Sequence, residues 1–297
     1  MPTRIDHIIF ASADLAAAEE AFGLLGFHVT GGGTHPHLGT RNRVIVLGEG
    51  YLELVAVADP AIASPELQDR IGQGAGYLGF AVQADDIERE AQAMRERGVD
   101  ARGPRAGRLV GPDGTARGWR TVLVGSDDLW AAAEPLPFLI QHDATGAEHQ
   151  RQLGGVDGLA AHPNGATRIV AVVVATSDLP AMRERYARVL GMESAGDAQA
   201  GDELGAMTLT LNLDEGREHI VLARSLAQGY VTEGLLAAGA SVCLVNIAIA
   251  SCAVAERWLA EHGQTFIAEE NGDLMVRVPG ARGAPLRDWW MRLREQP

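Results

Sequence analysis

The chain has 297 residues, of which 46% are apolar and 22% are charged, a composition typical of folded globular proteins. The length predicts two domains, because single domains cluster at about 100 to 150 residues. A formal net charge of -14 argues against binding to nucleic acids or anionic membranes, since both require a basic surface.

The sequence shows no sign of secretion or of membrane insertion. Its N-terminus lacks the basic and apolar regions of a signal peptide, and the longest apolar stretch, 240–255, is too short to span a bilayer. Cys243 and Cys252 are the two cysteines, so neither a disulfide framework nor a cysteine-rich metal site is available. These features predict a protein of the reducing cytoplasm.

Residues 1–57 have the pattern of one βαβββ module. Asp14 stands where a helix N-cap is expected, because aspartate accepts hydrogen bonds from the first helical N–H groups. Gly26 stands where the helix should end, since glycine readily adopts the left-handed conformation found there. In chain order, the predicted elements are a strand over Ile5–Ala11, a helix over 15–25, and strands over 27–29, 43–47 and 51–57.

The same order of elements returns three more times. In the other first strands, the positions equivalent to His7 are Gly79, Ala171 and Leu244. The separation along the sequence between the second and third of these four positions is longer than the other two separations. The extra residues there are rich in glycine, which is typical of loops. We therefore predict two domains of two modules each, over residues 1–145 and 168–297, with a loop-like linker over 146–167.

These modules predict an α+β fold with four βαβββ units. A single module would leave one sheet face exposed, so two modules are expected to pair into one curved, mixed eight-stranded sheet with helices outside. The concave side of such a sheet forms a cup. The first domain is expected to carry the chemistry, because module three has Ala171 where His7 stands and His219 where Glu53 stands.

Paired modules with a histidine on the first strand and a glutamate on the last resemble the vicinal oxygen chelate superfamily, and most closely its glyoxalase-like domain branch. The superfamily includes glyoxalase I, extradiol dioxygenases and bleomycin-resistance proteins. The resemblance covers nearly the whole chain. The segments that carry it are 5–7, 14–15, 33–42, 51–54, 136–140 and 162–166.

The resemblance implies a divalent metal in the cup, Zn, Mn, Ni, Co or Fe, held by the first and last strands of both modules. His7 and Glu53 occupy these positions in module one. Gly79 offers no side chain in module two, so the remaining ligand is expected from Gln141 or His142 on the closing strand. Because side chains alternate across a strand, only one of the two can face the cup. The register favours Gln141, and His142 stays open.

Glu53 is the expected catalytic residue. A carboxylate between Leu52 and Leu54 costs several kcal/mol to bury unless a metal, an arginine or a hydrogen-bond network meets it. Without a metal, Glu53 is the candidate base. The open alternative is an ion pair with an arginine, for which the candidates are Arg41, Arg43 and Arg120.

The expected substrate contacts lie in three places: near the 43–47 strand of module one, on the equivalent strand of module two, and in the glycine-rich loop that precedes the 43–47 strand. The candidate residues are His35, Thr40, Asn42, Trp119 and Arg120. Arg120 would either neutralise a substrate carboxylate or pair with Glu53.

Three functions remain open for the cup. The first is metal-dependent isomerase or lyase chemistry on a small oxygen-rich molecule, the second is metal-free binding as in the resistance proteins, and the third is an extradiol-type dioxygenase. Whether the protein is an enzyme is left open. The second domain is expected to support the structure, narrow the cup or form a homodimer.

Overall fold

The computed structural model describes residues 2–74, 76–131, 134–192, 197–201, 204–278 and 289–296. The strands of the first half are β1 (Ile5–Ala11), β2 (Thr30–His35), β3 (Thr40–Leu47), β4 (Gly50–Val57), β5 (Gly76–Gln83), β6 (Ala101–Val110), β7 (Ala116–Val124) and β8 (Phe138–His142). Those of the second half are β9 (Ala166–Ala175), β10 (Gln199–Gly201), β11 (Ala206–Leu213), β12 (Glu218–Ser225), β13 (Ser241–Ile249), β14 (Phe266–Ala268), β15 (Leu274–Val278) and β16 (Trp289–Glu295). The helices are α1 (Leu15–Leu24), α2 (Pro65–Gly72), α3 (Ile87–Glu96), α4 (Gly146–Gly154), α5 (Leu179–Leu190), α6 (Tyr230–Ala238) and α7 (Cys252–Glu261).

Strands β1 to β8 form a closed mixed sheet in the order β1-β4-β3-β2-β6-β7-β8-β5. In each module the first strand runs parallel to the last, β1 with β4 and β5 with β8, while β1 and β5 join the modules in antiparallel pairing. A single pair, Thr34 with Val110, closes the circle between β2 and β6. The predicted α+β fold of paired modules with cupped mixed sheets is confirmed.

The helix caps that the repeat predicts are present. Asp14 accepts hydrogen bonds from Ala16 and Ala17, and Asp86 and Asp178 do the same for the first turns of α3 and α5. Each cap satisfies N–H groups that lack a partner within the helix. None of the described helices is long and apolar enough to cross a membrane.

Strands β9 to β16 form a second eight-stranded sheet, in the order β10-β11-β12-β9-β13-β16-β15-β14. Its two edge strands, β10 and β14, are three residues long each. Helix α6 packs on this sheet through Val231, whose buried neighbours include Val173, Cys243 and Met275. The face that forms a cavity in the first half is therefore filled by a helix in the second.

The predicted linker is not wholly a loop. Helix α4 occupies Gly146–Gly154 and buries His149 and Leu153. These two side chains are four residues apart and so share one helix face. Alanine, glutamate, glutamine, arginine and leucine, all strong helix formers, outweigh the flanking glycines that suggested a loop.

Several contacts join the halves of the chain, and two of them lie at opposite ends of the first strands. The backbone N–H of Ile5 donates to Glu218 Oε2 on β12 at 2.6 Å. At the other end of the first strands, the indole of Trp289 on β16 packs against Tyr77 with ring centroids 5.7 Å apart and directly over Gly76. Both residues of the second half are buried, so the contacts belong to a continuous core.

Glu218 is expected to make the stability of the protein depend on pH. Burial raises the pKa of this carboxyl group to about 7, from an ordinary value of 4.5. A group whose pKa is higher in the folded state stabilises that state fully below the unfolded pKa, and the contribution disappears as pH rises through the folded pKa. Between pH 5 and pH 8 the free energy of unfolding should therefore fall by about 2 to 3 kcal/mol more in the wild type than in Glu218→Gln. Urea unfolding of both proteins at each pH measures the difference, and equal pH dependence would contradict the assignment.

Candidate functional site

The closed sheet of the first half encloses a cavity of ≈ 390 Å³ that opens to solvent. One part of its wall is apolar, formed by Ile9, Val55, Leu123, Trp130, Phe138 and Ile140. The other part carries His7, His35, Asn42 and Glu53. The cup thus offers an apolar wall for the body of a ligand and a polar end for its reactive group.

Glu53 lies on β4 at the polar end and is 7% exposed. The amide of Asn42, on the neighbouring strand β3, donates to Glu53 Oε1 at 2.6 Å, while its own oxygen accepts from the backbone of Gly33 at 3.0 Å. The glycine-rich strand therefore fixes the orientation of the amide that meets the carboxylate. Two of the arginines predicted to pair with Glu53 form ion pairs elsewhere. Arg43 pairs with Glu19 and Asp157, and Arg120 pairs with Glu88.

Two imidazoles flank the carboxylate. His7 Nε2 lies 3.7 Å from Oε2 of Glu53, and His35 Nε2 lies 3.6 Å from Oε1. Both are too distant for a hydrogen bond and leave room for a ligand atom to bridge them. Each ring is oriented through its other nitrogen, His7 by Asp6 Oδ1 at 2.7 Å and His35 by Thr40 Oγ at 2.9 Å.

Burial lowers the pKa of His35 despite the opposing effect of Glu53, which favours the neutral ring. A neutral ring whose Nε2 faces a carboxylate is best placed with the proton on Nε2, so that the hydroxyl of Thr40 donates to Nδ1. The ring packs edge-on against Trp119, with centroids 5.8 Å apart. The expected contacts His35, Thr40, Asn42 and Trp119 are all brought to the cup.

Arg120 is not brought there, and its expected role is corrected. Its guanidinium lies outside the sheet, where it bonds to Glu88 and to Gln141 Oε1 at 3.2 and 2.8 Å. Arg117, on the same strand, does line the cup, and its side chain donates to the backbone oxygen of Gln152 at 2.7 Å. Burial lowers the pKa of Arg117, against the opposing effect of the acidic groups Tyr51 and Glu53.

The expectation that Gln141, rather than His142, faces the cup from β8 is corrected as well. Its side chain accepts from Arg120 and from the backbone of Ile87, and donates to the oxygen of Asp85 at 2.6 Å, all outside the cup. Alternation therefore points His142 inward, where its Nε2 lies 3.0 Å from Asp6 Oδ1. Its ring also packs on that of His149, with centroids 4.1 Å apart.

Asp6 is a central residue of the site that sequence reasoning missed. It is completely buried, and one of its oxygens meets both His7 and His142. Burial alone would raise the pKa of this carboxyl group, but His142 and His7 together hold it well below its usual value. Asp6 is therefore ionised and can only accept hydrogen bonds.

The ligand set His7, Glu53 and His142 is not assembled around one point. Among the described residues, the one group of three histidine, cysteine, aspartate or glutamate side chains with ligand atoms within 4.8 Å of one another is Asp6, His142 and His149. The cup residues implied by the resemblance thus do not fit a metal in their present arrangement. The possible metal-binding group of the structure lies next to them, on the far side of His7.

Comparisons with known proteins agree with this architecture. The sequence profile of the glyoxalase-like domain matches residues 5–190. Similar solved structures include a hypothetical protein from Staphylococcus aureus, with a TM-score of 0.67, 15% identity and 99% of both chains covered. A mutant 4-hydroxymandelate synthase from Streptomyces coelicolor has a TM-score of 0.63 and 14% identity over 99% of this chain and 92% of the other.

No curated protein matches the chain. At these sequence identities the solved structures support the fold alone. The profile match covers more than half of the sequence, and it includes the strands that carry His7, Asn42 and Glu53. The chain belongs to the glyoxalase-like domain family.

Proposed function

We propose that the cup binds a small oxygen-rich molecule and that Glu53 transfers a proton on it, in a reaction of the isomerase or lyase type. The observation that carries the proposal is the environment of the Glu53 carboxylate. It is buried at the polar end of an open cavity, with a single amide donor and two imidazoles close by. A buried charge with so few partners is costly for stability and is typical of a functional group.

The proposed chemistry needs no oxidant. Glu53 would take a proton from a carbon next to a carbonyl group, and the electron pair of the broken C–H bond would move onto the carbonyl oxygen as an enolate. The Nε2–H of His35 can donate to that oxygen. Where the deprotonated carbon carries a hydroxyl group, the enolate is an enediolate, and return of the proton to the former carbonyl carbon, with transfer of the hydroxyl proton between the two oxygens, gives an isomer. Where the next carbon along, β to the carbonyl, carries a leaving group, collapse of the enolate expels that group with its electron pair and gives the unsaturated lyase product.

The cup also restricts the class of ligand. A cavity of ≈ 390 Å³ suits a molecule of modest size, and the apolar wall favours a hydrophobic body. The positive charge of Arg117 offsets the negative charge of Glu53 at the polar end. We therefore expect a carbonyl compound with further oxygen atoms near the carbonyl carbon.

Hydrogen exchange tests the proposal. Small hydroxyketones and 2-oxo acids would first be screened for binding by saturation-transfer NMR, and those that bind would be incubated in D2O. We expect wild-type protein to catalyse deuterium uptake at the carbon next to the carbonyl, and His35→Gln to slow it by removing the donor to the oxyanion. Binding without any catalysed exchange would contradict proton transfer.

That contradicting result would favour a second candidate, a metal-free binding protein. The observation in its favour is that the ligand set implied by the resemblance is not assembled in the cup. Such a protein would hold its ligand through Asn42, His35 and Arg117 without turnover. Its affinity would then fall on replacement of Arg117 by glutamine, while no product forms with either protein.

A further inference from the structure

We infer that Asp6, His142 and His149 bind one divalent transition-metal cation between the cup and a second, neighbouring cavity. The three side chains come from strand β1, the last residue of strand β8, and helix α4. Their ligand atoms lie within 4.8 Å of one another. The inference does not depend on the ligand or the reaction proposed for Glu53.

A β-bulge brings Asp6 into this group. Strands β1 and β5 pair at Ile5 with Val82 and next at His7 with Ala81, so β1 has one residue more than its partner. Asp6 is the extra residue. A bulge interrupts the alternation of side chains and re-aims one of them, and here it places Asp6 on the same side as His7, within 2.7 Å of its ring.

Helix α4 supplies the third residue. His149 lies on the buried face of the helix together with Leu153, and three residues separate the end of β8 from the first residue of α4. This short connection holds the His149 ring against that of His142. The helix thus covers the end of the sheet and delivers an imidazole to it.

Two buried atoms of this group have no hydrogen bond among the described residues, Asp6 Oδ2 and His149 Nε2. The guanidinium of Arg4 lies 3.9 Å from Asp6 Oδ2, which is beyond hydrogen-bond distance. A buried polar atom without a partner costs about 1 to 3 kcal/mol. One cation between the two atoms would satisfy both.

The group is also accessible from solvent. His142 and His149 line the cup, and both also line a second cavity of ≈ 280 Å³ on the other side, with Arg4 and Gln83 at its wall. A cation can therefore enter without passing Glu53. Two imidazoles and one carboxylate suit Zn, Fe, Mn, Co or Ni, and leave coordination positions free for water.

Metal titration of the purified full-length protein tests the inference. After dialysis against a chelator, Zn2+ and Co2+ would be added, with a competing indicator to measure affinity and visible absorption to report the coordination of Co2+. We expect one cation per chain. His142→Gln and His149→Gln should each weaken binding at least about 10-fold and alter the Co2+ spectrum.

The matched controls are His35→Gln and Glu53→Gln, which change the same side-chain types inside the cup. They should bind the cation as the wild type does, and circular dichroism would confirm that all four variants are folded. Two outcomes would overturn the inference. One is that neither Zn2+ nor Co2+ binds in a one-to-one ratio, and the other is that binding is lost in the cup variants but kept in His149→Gln.

Discussion

Glu53→Gln is expected to slow proton transfer about 1,000-fold while the protein stays at least as stable as the wild type. A glutamine has the shape of glutamate and can still meet the amide of Asn42 after a rotation, but it cannot take a proton, and a positioned base contributes about 100- to 10,000-fold. Among the described residues no arginine makes a direct ion pair with Glu53, so removing this buried charge relieves a desolvation cost. Deuterium exchange and urea unfolding of the same preparations measure both effects.

Glu19→Gln is the matched control, because this carboxylate is partly exposed and pairs with Arg43 outside the cup. It should leave the rate of deuterium exchange unchanged. It should change the free energy of unfolding by no more than about 0.5 kcal/mol. A loss of about 3 kcal/mol or more in Glu53→Gln would have the opposite meaning. It would identify Glu53 as one half of a structural ion pair, and the proposed reaction would lose its base.

Gly76→Ala is expected to destabilise the protein by more than about 4 kcal/mol. The φ angle of Gly76 is 122°, a conformation that residues with a side chain rarely adopt. A methyl group at this position would also overlap the indole ring of Trp289, which belongs to the other half of the chain. The ring is 4% exposed and cannot move aside without leaving the core.

Gly79→Ala provides a control on the same strand. No atom lies within 4 Å of a methyl group placed there, and its φ is not in the left-handed region. We expect a change in the free energy of unfolding of less than about 1 kcal/mol. Thermal and urea unfolding compare the two variants. Equal stabilities would show that Trp289 does not pack on β5 in the way described.

The fold was predictable because its signals are local and repeated. Asp14, Asp86 and Asp178 each cap the helix that follows a first strand, and a cap depends on only three or four neighbouring residues. The same order of elements in all four modules then implied paired sheets. Closure of the first sheet was not predictable in this way, since it depends on the pairing of Thr34 with Val110, far apart in sequence.

The site was predictable only where strands are regular. His7, Asn42 and Glu53 were expected in the cup from their positions on β1, β3 and β4, and the structure places them at its polar end. Asp6 was missed because a bulge breaks the alternation on which such reasoning depends. On β8, an error of one residue in the assumed register exchanged Gln141 for His142, since each step along a strand reverses the face.

Arg117 and His149 were missed for two different reasons. Arg117 and Arg120 lie on the same strand, and composition alone does not distinguish the arginine that reaches the cup from the one that bonds to Glu88 outside it. His149 lies in a glycine-rich segment that was expected to be a loop. The spacing of His149 and Leu153, two residues able to share a buried helix face, is the signal that could have found it.

The short edges of the second sheet have a consequence for how copies of the chain can meet. A growing fibril or a strand-exchanged pair needs a long row of unpaired backbone groups as a template. In the part of the chain that the structure describes, β10 and β14 offer three residues each, and the first sheet closes on itself. Pairing between edge strands of the described residues therefore offers little area for self-association, so contacts between copies through side chains on the outer faces are favoured over strand exchange.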